Sequence, residues 1–368
     1  LPRSPNDISR MFRKLLGLAA WCAALGAICA SALGLSSFLA PDYWLSDNMS
    51  FFLWQFLYAG FGGVLLGAIG LLLAHRFQAL YRLTVAVAAI AIVSLAVLTG
   101  FRTVENTIDF VQPSDEVHTL KIASINLEAL FLGDPILEAY LEEVDADVIV
   151  FQETIWNLQK WQWQRRGLPI GGTDNGIYPA NYHVGQLGGL VVFSRFPIED
   201  TASIVIPGVS MPGANVYHDA DREILSLSLL VGGQKVNLVA VHPDSPRTQP
   251  RWQNKRSYLD IMDEAIAQLR QENPAPIVAI GDWNSAPWSA RFQGSLTQND
   301  LKTAYPNGIP QPTRYFYDYR LRWIIGAPVD QVAVSDDVGI EDVALGPHIG
   351  SDHRPLIVTL QLAEVAKN

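Results

Sequence analysis

The chain has 368 residues, 26 Lys+Arg against 36 Asp+Glu, and 49% hydrophobic against 17% charged residues, which is long enough for a large core and apolar for a soluble enzyme. The first hundred residues hold six basic and three acidic side chains, so the remainder carries 20 basic and 33 acidic residues, a net of −13 that is unsuited to non-specific binding of polyanions. Both cysteines, Cys22 and Cys29, lie in the first apolar segment, which excludes a disulfide framework or cysteine metal site elsewhere.

Three long apolar runs come first. Leu15–Ala40 and Phe51–Ala74 contain no charge, and Leu83–Phe101 follows them. A helix needs about 20 apolar residues to cross the hydrocarbon core. Buried helices of soluble domains keep a polar face, and these runs show almost none. The pattern predicts a membrane module over residues 1–103, with transmembrane helices at 15–40, 51–74 and 83–101 and the lipid bilayer as its partner. Arg10, Arg13 and Lys14 precede the first run, "PDYWLSDN" carries only acids, and "HRFQALYR" carries Arg76 and Arg82. Basic loops stay inside, so the N-terminus is expected in the cytoplasm and everything after residue 101 outside. "ASA" at Ala30–Ala32 has the look of a signal-peptidase site, but the apolar run continues to Ala40, which favours a retained helix.

Residues 104–119 read as a polar linker. Beyond it, β-rich runs occur at 120–126, 147–153, 189–195, 224–231, 235–242, 276–284, 329–335 and 354–362. Segments 135–144 and 251–272 have the period of amphipathic helices. Many strands with few helices between them predict an α/β fold, two sheets packed face to face and flanked by helices, over residues 120–368.

Several of these strands end on residues that apolar packing would not select. Asn126 closes the first, Gln152-Glu153 the second, His242 another, and Asp282-Trp283-Asn284 the one at 276–284. Asp330 opens a late strand, and Ser351-Asp352-His353-Arg354-Pro355 precedes the last. Strand alternation points Asp282 and Asn284 one way and Trp283 the other. Hard oxygen donors without thiols suit Mg²⁺, Mn²⁺ or Ca²⁺ rather than zinc. His353, with Asp330 to orient its ring, fits a general acid or base. Singly, each feature also fits a turn, a cap or a loop histidine; their order and shared placement at strand ends favour a site.

The ordered set "IASINLEA", "VIVFQE", "GGLVVFSRFPI", "VAVHPDSP", "GDWNSAP", "VDQVAVS" and "SDHRPL" resembles the endonuclease/exonuclease/phosphatase superfamily from about Lys121 to Leu362. The resemblance implies a four-layer α/β sandwich of two mixed β-sheets and hydrolysis of a phosphoester, most simply a phosphodiester. It implies Mg²⁺ held by Glu153, with Asp352 and Asn126 beside it. It further implies catalysis by His353, Asp330 and Asp282, and phosphate contacts from Asn284 and His242. Trp283 stands where the family motif has Phe, and Gln331 where His or Tyr is frequent. Bacterial members of this kind would sit in the inner membrane with the catalytic part in the periplasm.

Trp156, Trp161, Trp163, Trp252, Trp288 and "RYFYDYRLRW" at 314–323 are interleaved with Arg165, Arg166, Arg247, Arg251, Lys255, Arg256, Arg314, Arg320 and Arg322. Such a mixture suits single-stranded nucleic acid or a phospholipid or sphingomyelin-type headgroup. No protein partner is evident. The alternative is a catalytically inactive membrane receptor or scaffold, against which the retained acids and histidines weigh.

Overall fold

The computed structural model describes residues 5–72, 78–114, 117–128, 130–154, 180–209 and 221–362. Arg3, Arg76, Trp156, Trp161, Trp163, Arg165 and Arg166 fall outside them. The chain divides into two compact units, one of residues 1–104 with Trp288–Ala290, the other of 105–287 with 291–368.

The first unit is helical: α1 (Pro5–Leu39), α2 (Trp44–Met49), α3 (Leu53–Leu71) and α4 (Gln78–Val104). Three stretches, Met11–Leu39, Trp44–Leu71 and Ala79–Val104, are long and apolar enough to cross a membrane. Helix α4 begins earlier than the hydropathy run suggests, so Arg82 lies on the helix rather than in a loop. Gly60, Gly63, Gly67 and Gly70 form a buried stripe on α3. A Cβ at Gly63 would meet the Ala23 carbonyl oxygen at 2.5 Å, and one at Gly67 the Ala24 methyl at 2.9 Å. Close approach of small residues is how helices associate where lipid removes the hydrophobic drive. Trp21 Nε1 adds an interhelical hydrogen bond to Thr84 Oγ1 at 3.1 Å.

The second unit runs β1 (His118–Asn126), α5 (Pro135–Val144), β2 (Val148–Gln152), β3 (Asn181–Val184), β4 (Val191–Ser194), β5 (Ile198–Ile206), β6 (Arg222–Val231), β7 (Gln234–Val241), α6 (Gln249–Glu272) and β8 (Ile277–Asp282). It continues through α7 (Ala290–Gln298), β9 (Leu301–Lys302), β10 (Arg314–Tyr315), α8 (Arg322–Ile325), β11 (Gly326–Ala327), β12 (Asp330–Ser335), β13 (Val338–Leu345) and β14 (Leu356–Leu362). Two six-stranded sheets result, ordered β13-β14-β1-β2-β4-β3 and β5-β6-β7-β8-β12-β9. Each is mixed, with one parallel pair, β1/β2 and β7/β8. This is the sandwich of two mixed sheets flanked by helices that the sequence implies. The segment after Val104 is laid along this unit: Ile108 N donates to the Thr303 carbonyl and Val111 N to that of Ile340.

Burial on both faces explains why the central strands read as unbroken apolar runs. Ile122, Val150, Leu238, Ile280 and Val332 fill the layer between the sheets. Their neighbours face outward: Ala123 and Ile149 pack with Leu137 and Leu141 of α5. Ala279 and Val239 pack with Tyr258 and Met262 of α6. Gly281 has φ +150°, and a Cβ there would sit 2.1 Å from the Val241 carbonyl oxygen on β7. Gly281→Ala is therefore expected to lower stability by about 2 kcal/mol or more; an unchanged thermal unfolding midpoint would contradict this packing.

Candidate functional site

The inward-facing register of four strands continues past the last apolar layer into polar residues. Ile280 leads to Asp282 on β8, and Val150 to Gln152 on β2. On β1, Ser124 leads to Asn126, while on β12 Asp330 precedes Val332. Asn126, Gln152, Asp282 and Asp330 are all buried. They close the same open end of the inter-sheet core because β1, β2 and β8 finish where β12 begins.

Asp282 and Asp330 are direct cross-strand partners. Like charges so placed repel, and His353 relieves them. Its Nδ1 lies 2.8 Å from Asp330 Oδ2 and its Nε2 3.7 Å from Asp282 Oδ2. Backbone donors hold the bearing strands: Val329 N and Asp330 N both donate to Thr313 Oγ1. His353 N donates to Ser351 Oγ, which in turn donates to the Asn126 carbonyl.

The pairing of Asp282 with Asn284 does not come from strand alternation. Strand β8 stops at Asp282, and Asn284 takes a left-handed φ of 44°. Asn284 N donates to Asp282 Oδ1 at 2.8 Å and its Nδ2 to Asp282 Oδ2 at 3.1 Å, an Asx-type turn that replaces the ladder. Asn284 Nδ2 also donates to the Pro243 carbonyl, so both amide hydrogens are committed. Trp283 turns away, as its place in the motif implies, and packs edge-on against Phe292 with ring centroids 5.1 Å apart.

Glu153 leaves the end of β2 in a left-handed conformation, φ 60°. Its Oε1 accepts from Asn126 Nδ2 at 3.1 Å and lies 3.4 Å from His242 Nε2. Asn126 Nδ2 also donates to Asp282 Oδ2, so this one amide ties two carboxylates together. His242 Nε2 is 3.9 Å from Asp282 Oδ2, and its backbone N donates to the buried Tyr258 hydroxyl. Asp352 stands further out: its Oδ2 accepts from Arg314 Nε and Nη2, and its Oδ1 is 3.7 Å from His353 Nε2. The structure thus brings all eight sequence-predicted residues into one neighbourhood. Thr313, Tyr258 and Arg314 had no signal of their own. Thr313 and Tyr258 act through single hydroxyls, and Arg314 was one arginine among many.

The cluster is electrostatically skewed. Burial works to raise Glu153, yet the His242 contact, the charges of His242 and His353 and the Asn126 amide bring it down to about 2. Burial raises Asp282, helped by Asp330 and opposed by His353, His242 and Arg314. Burial works against His353, but Asp330, Asp282 and Asp352 lift it to about 10. Ligand atoms of Glu153, His242 and Asp282 lie within 4.8 Å of one another, as do those of Asp282, Asp330 and His353. The buried Asp352 Oδ1 has no hydrogen-bond partner. Hard oxygen donors in excess of cations, one of them without a hydrogen bond, fit a divalent ion.

The model for the Endonuclease/Exonuclease/phosphatase family matches residues 129–353, taking in every predicted site residue except Asn126 just before it. Among solved structures, the chain is similar to an endonuclease/exonuclease/phosphatase from Beutenbergia cavernae, with 18% identity over 67% of this chain and 72% of that one and a TM-score of 0.48. It is also similar to a truncated TDP2 of Caenorhabditis elegans (16% identity, 66% and 98% covered, TM-score 0.46). A third is sphingomyelinase C from Streptomyces griseocarneus (18% identity, 67% and 99% covered, TM-score 0.44). No curated protein matches the chain.

His353 binds its proton more tightly folded than unfolded, so its contribution to stability is complete below 6.5 and is lost as pH rises towards about 10. In the presence of chelator, the unfolding temperature should fall across that window, and His353→Gln should flatten the fall. An equal slope in both proteins would show that His353 is not the linked group.

Proposed function

The chain belongs to the endonuclease/exonuclease/phosphatase family, whose members hydrolyse phosphoester bonds, and from that premise we propose that it is a divalent-metal-dependent phosphodiesterase. The observation that carries this reading is the convergence of Glu153, Asp282, Asp330, His242 and His353 at one end of the inter-sheet core. Glu153 would hold Mg²⁺, steadied by the Asn126 amide that donates to it and with the Asp352 Oδ1 further out as a further oxygen, and such hard donors accept Mn²⁺ or Ca²⁺ as well. When bound, the ion neutralises charge on the phosphate.

Water attacks phosphorus in line and the ester oxygen leaves. Asp282 takes the water proton, its carboxylate facing His353 and His242 and its proton affinity raised by burial. His353, held by Asp330 and lifted to about 10, is an imidazolium that stabilises the charge developing on phosphate. His242 contributes a second ring nitrogen, its Nε2 3.9 Å from the same Asp282 oxygen that faces His353. Asn284, with both amide hydrogens engaged, positions Asp282 rather than binding phosphate. The three apolar helices anchor the protein in a bilayer, the bacterial inner membrane, with the N-terminus in the cytoplasm and the catalytic unit in the periplasm.

Glu153→Gln and His353→Ala are each expected to lower Mg²⁺-dependent cleavage of bis(p-nitrophenyl) phosphate by about 10³-fold. Full activity in either variant would sink this assignment of residues, whereas a wild-type chain that shows no Mg²⁺-dependent cleavage would favour the inactive receptor or scaffold. A reporter fused after Asn368 is expected to be active only when it folds in the periplasm; activity restricted to a cytoplasmic reporter would reverse the topology.

A further inference from the structure

After Val104, nine large apolar side chains are exposed among the described residues, and five of them fall between positions 316 and 324. They are Phe316, Tyr317, Leu321, Trp323 and Ile324, with Tyr317 88% and Ile324 66% exposed. This is not a loose stretch. Strands β10 and β11 pair antiparallel, Arg314 with Ala327 and Tyr315 with Gly326, and close the ten intervening residues into a projection. Gly326 permits the closure, because a Cβ there would meet the Arg322 and Arg314 carbonyl oxygens at 2.2 and 2.7 Å. On the inner side, Tyr319 stacks on His348 with centroids 5.1 Å apart, and the Tyr315 hydroxyl donates to the Ser351 carbonyl. The base of the projection joins the candidate site: Arg314 holds Asp352, and Tyr315 N donates to the Asp352 carbonyl.

Resting on the hydrolase reading above, we propose that residues 316–324 are an interfacial docking element and that the substrate is a phospholipid presented in a bilayer. Three features select this occupant. Leu321 and Ile324 are aliphatic and cannot stack on bases, whereas aromatic and aliphatic side chains together suit the headgroup–acyl boundary. Arg314 is spent on Asp352, but the projecting residues 316–325 still carry Arg320 and Arg322 against Asp318 alone, in a region otherwise strongly acidic, which complements anionic headgroups. The catalytic unit begins at Glu105, immediately after a helix apolar enough to span a membrane, so covalent connection alone keeps it beside a bilayer.

The test uses the full chain reconstituted into vesicles of phosphatidylcholine, phosphatidylglycerol and sphingomyelin. Cys22 and Cys29 are replaced by Ser, Tyr317→Cys is introduced, and an environment-sensitive fluorophore is attached there. Acyl-chain-brominated phosphatidylcholine is expected to quench about half of the emission, and the wild-type chain to release phosphorylated headgroups from the vesicles. Tyr317→Ser/Ile324→Ser, its fold checked by thermal unfolding, should slow headgroup release about tenfold while leaving cleavage of bis(p-nitrophenyl) phosphate unchanged. Absence of quenching, or an emission shift with single-stranded DNA in its place, overturns the docking element. Cleavage of the soluble diester without headgroup release overturns the lipid substrate. Quenching in a chain that cleaves no diester leaves the docking element standing and overturns the hydrolase reading instead.

Discussion

Asp282 and Asp330 face one another across adjacent antiparallel strands, both buried, and the rest of the catalytic unit is arranged around the cost of that pairing. Two carboxylates removed from water and set side by side are tolerated only with charge and hydrogen bonds to match. His353 supplies the charge from the turn before β14, reaching Asp330 with one ring nitrogen and facing Asp282 with the other. Asn126 supplies an amide from β1 in the opposite sheet. Asn284 supplies two donors from its own turn. Each contributor sits on a separate element, so the site forms only when both sheets are packed.

The same constraint gives the cluster its chemical character. Glu153 is held ionised, Asp282 is pushed towards its protonated form, and His353 is held charged, within a few ångströms of one another. In the proposed reaction, groups pushed apart in this way would divide the roles of ligand, base and electrophile. Helix α6 reaches this centre from behind, since Tyr258 receives the backbone N–H of His242 and passes a hydrogen bond on to the Glu223 carbonyl. The two units are held together differently. In the first, the glycines of α3 let long apolar helices approach closely. In the second, apolar side chains drive the sheets together and leave the polar residues at the rim.

Much of this was legible in the residues. The central strands are buried on both faces, so each appears as a short apolar run, and all eight expected runs correspond to strands. Helix α5 matches its periodic segment residue for residue. Strand β5 carries little apolar signal because it is an edge strand with mostly exposed side chains, "IEDTASIVI". Strand β13 has a register shift between Ile340 and Asp342 that breaks its alternation. At the site, the residue types at the strand ends were visible, but the local geometry at Asn284 was not: alternation predicts a ladder, and the chain instead turns through a left-handed residue.

By itself, the sequence determined the apolar spans, the alternation that builds two sheets, and the identity of the acids, amides and histidines at the strand ends. These follow from local pattern, since hydropathy and period need no partner. Tertiary structure alone decided which acids oppose each other, that Arg314 holds Asp352, and that both hydrogens of the Asn284 amide are spent. Those outcomes depend on strand register and on contacts between residues far apart in the chain, and no spacing along one segment encodes them.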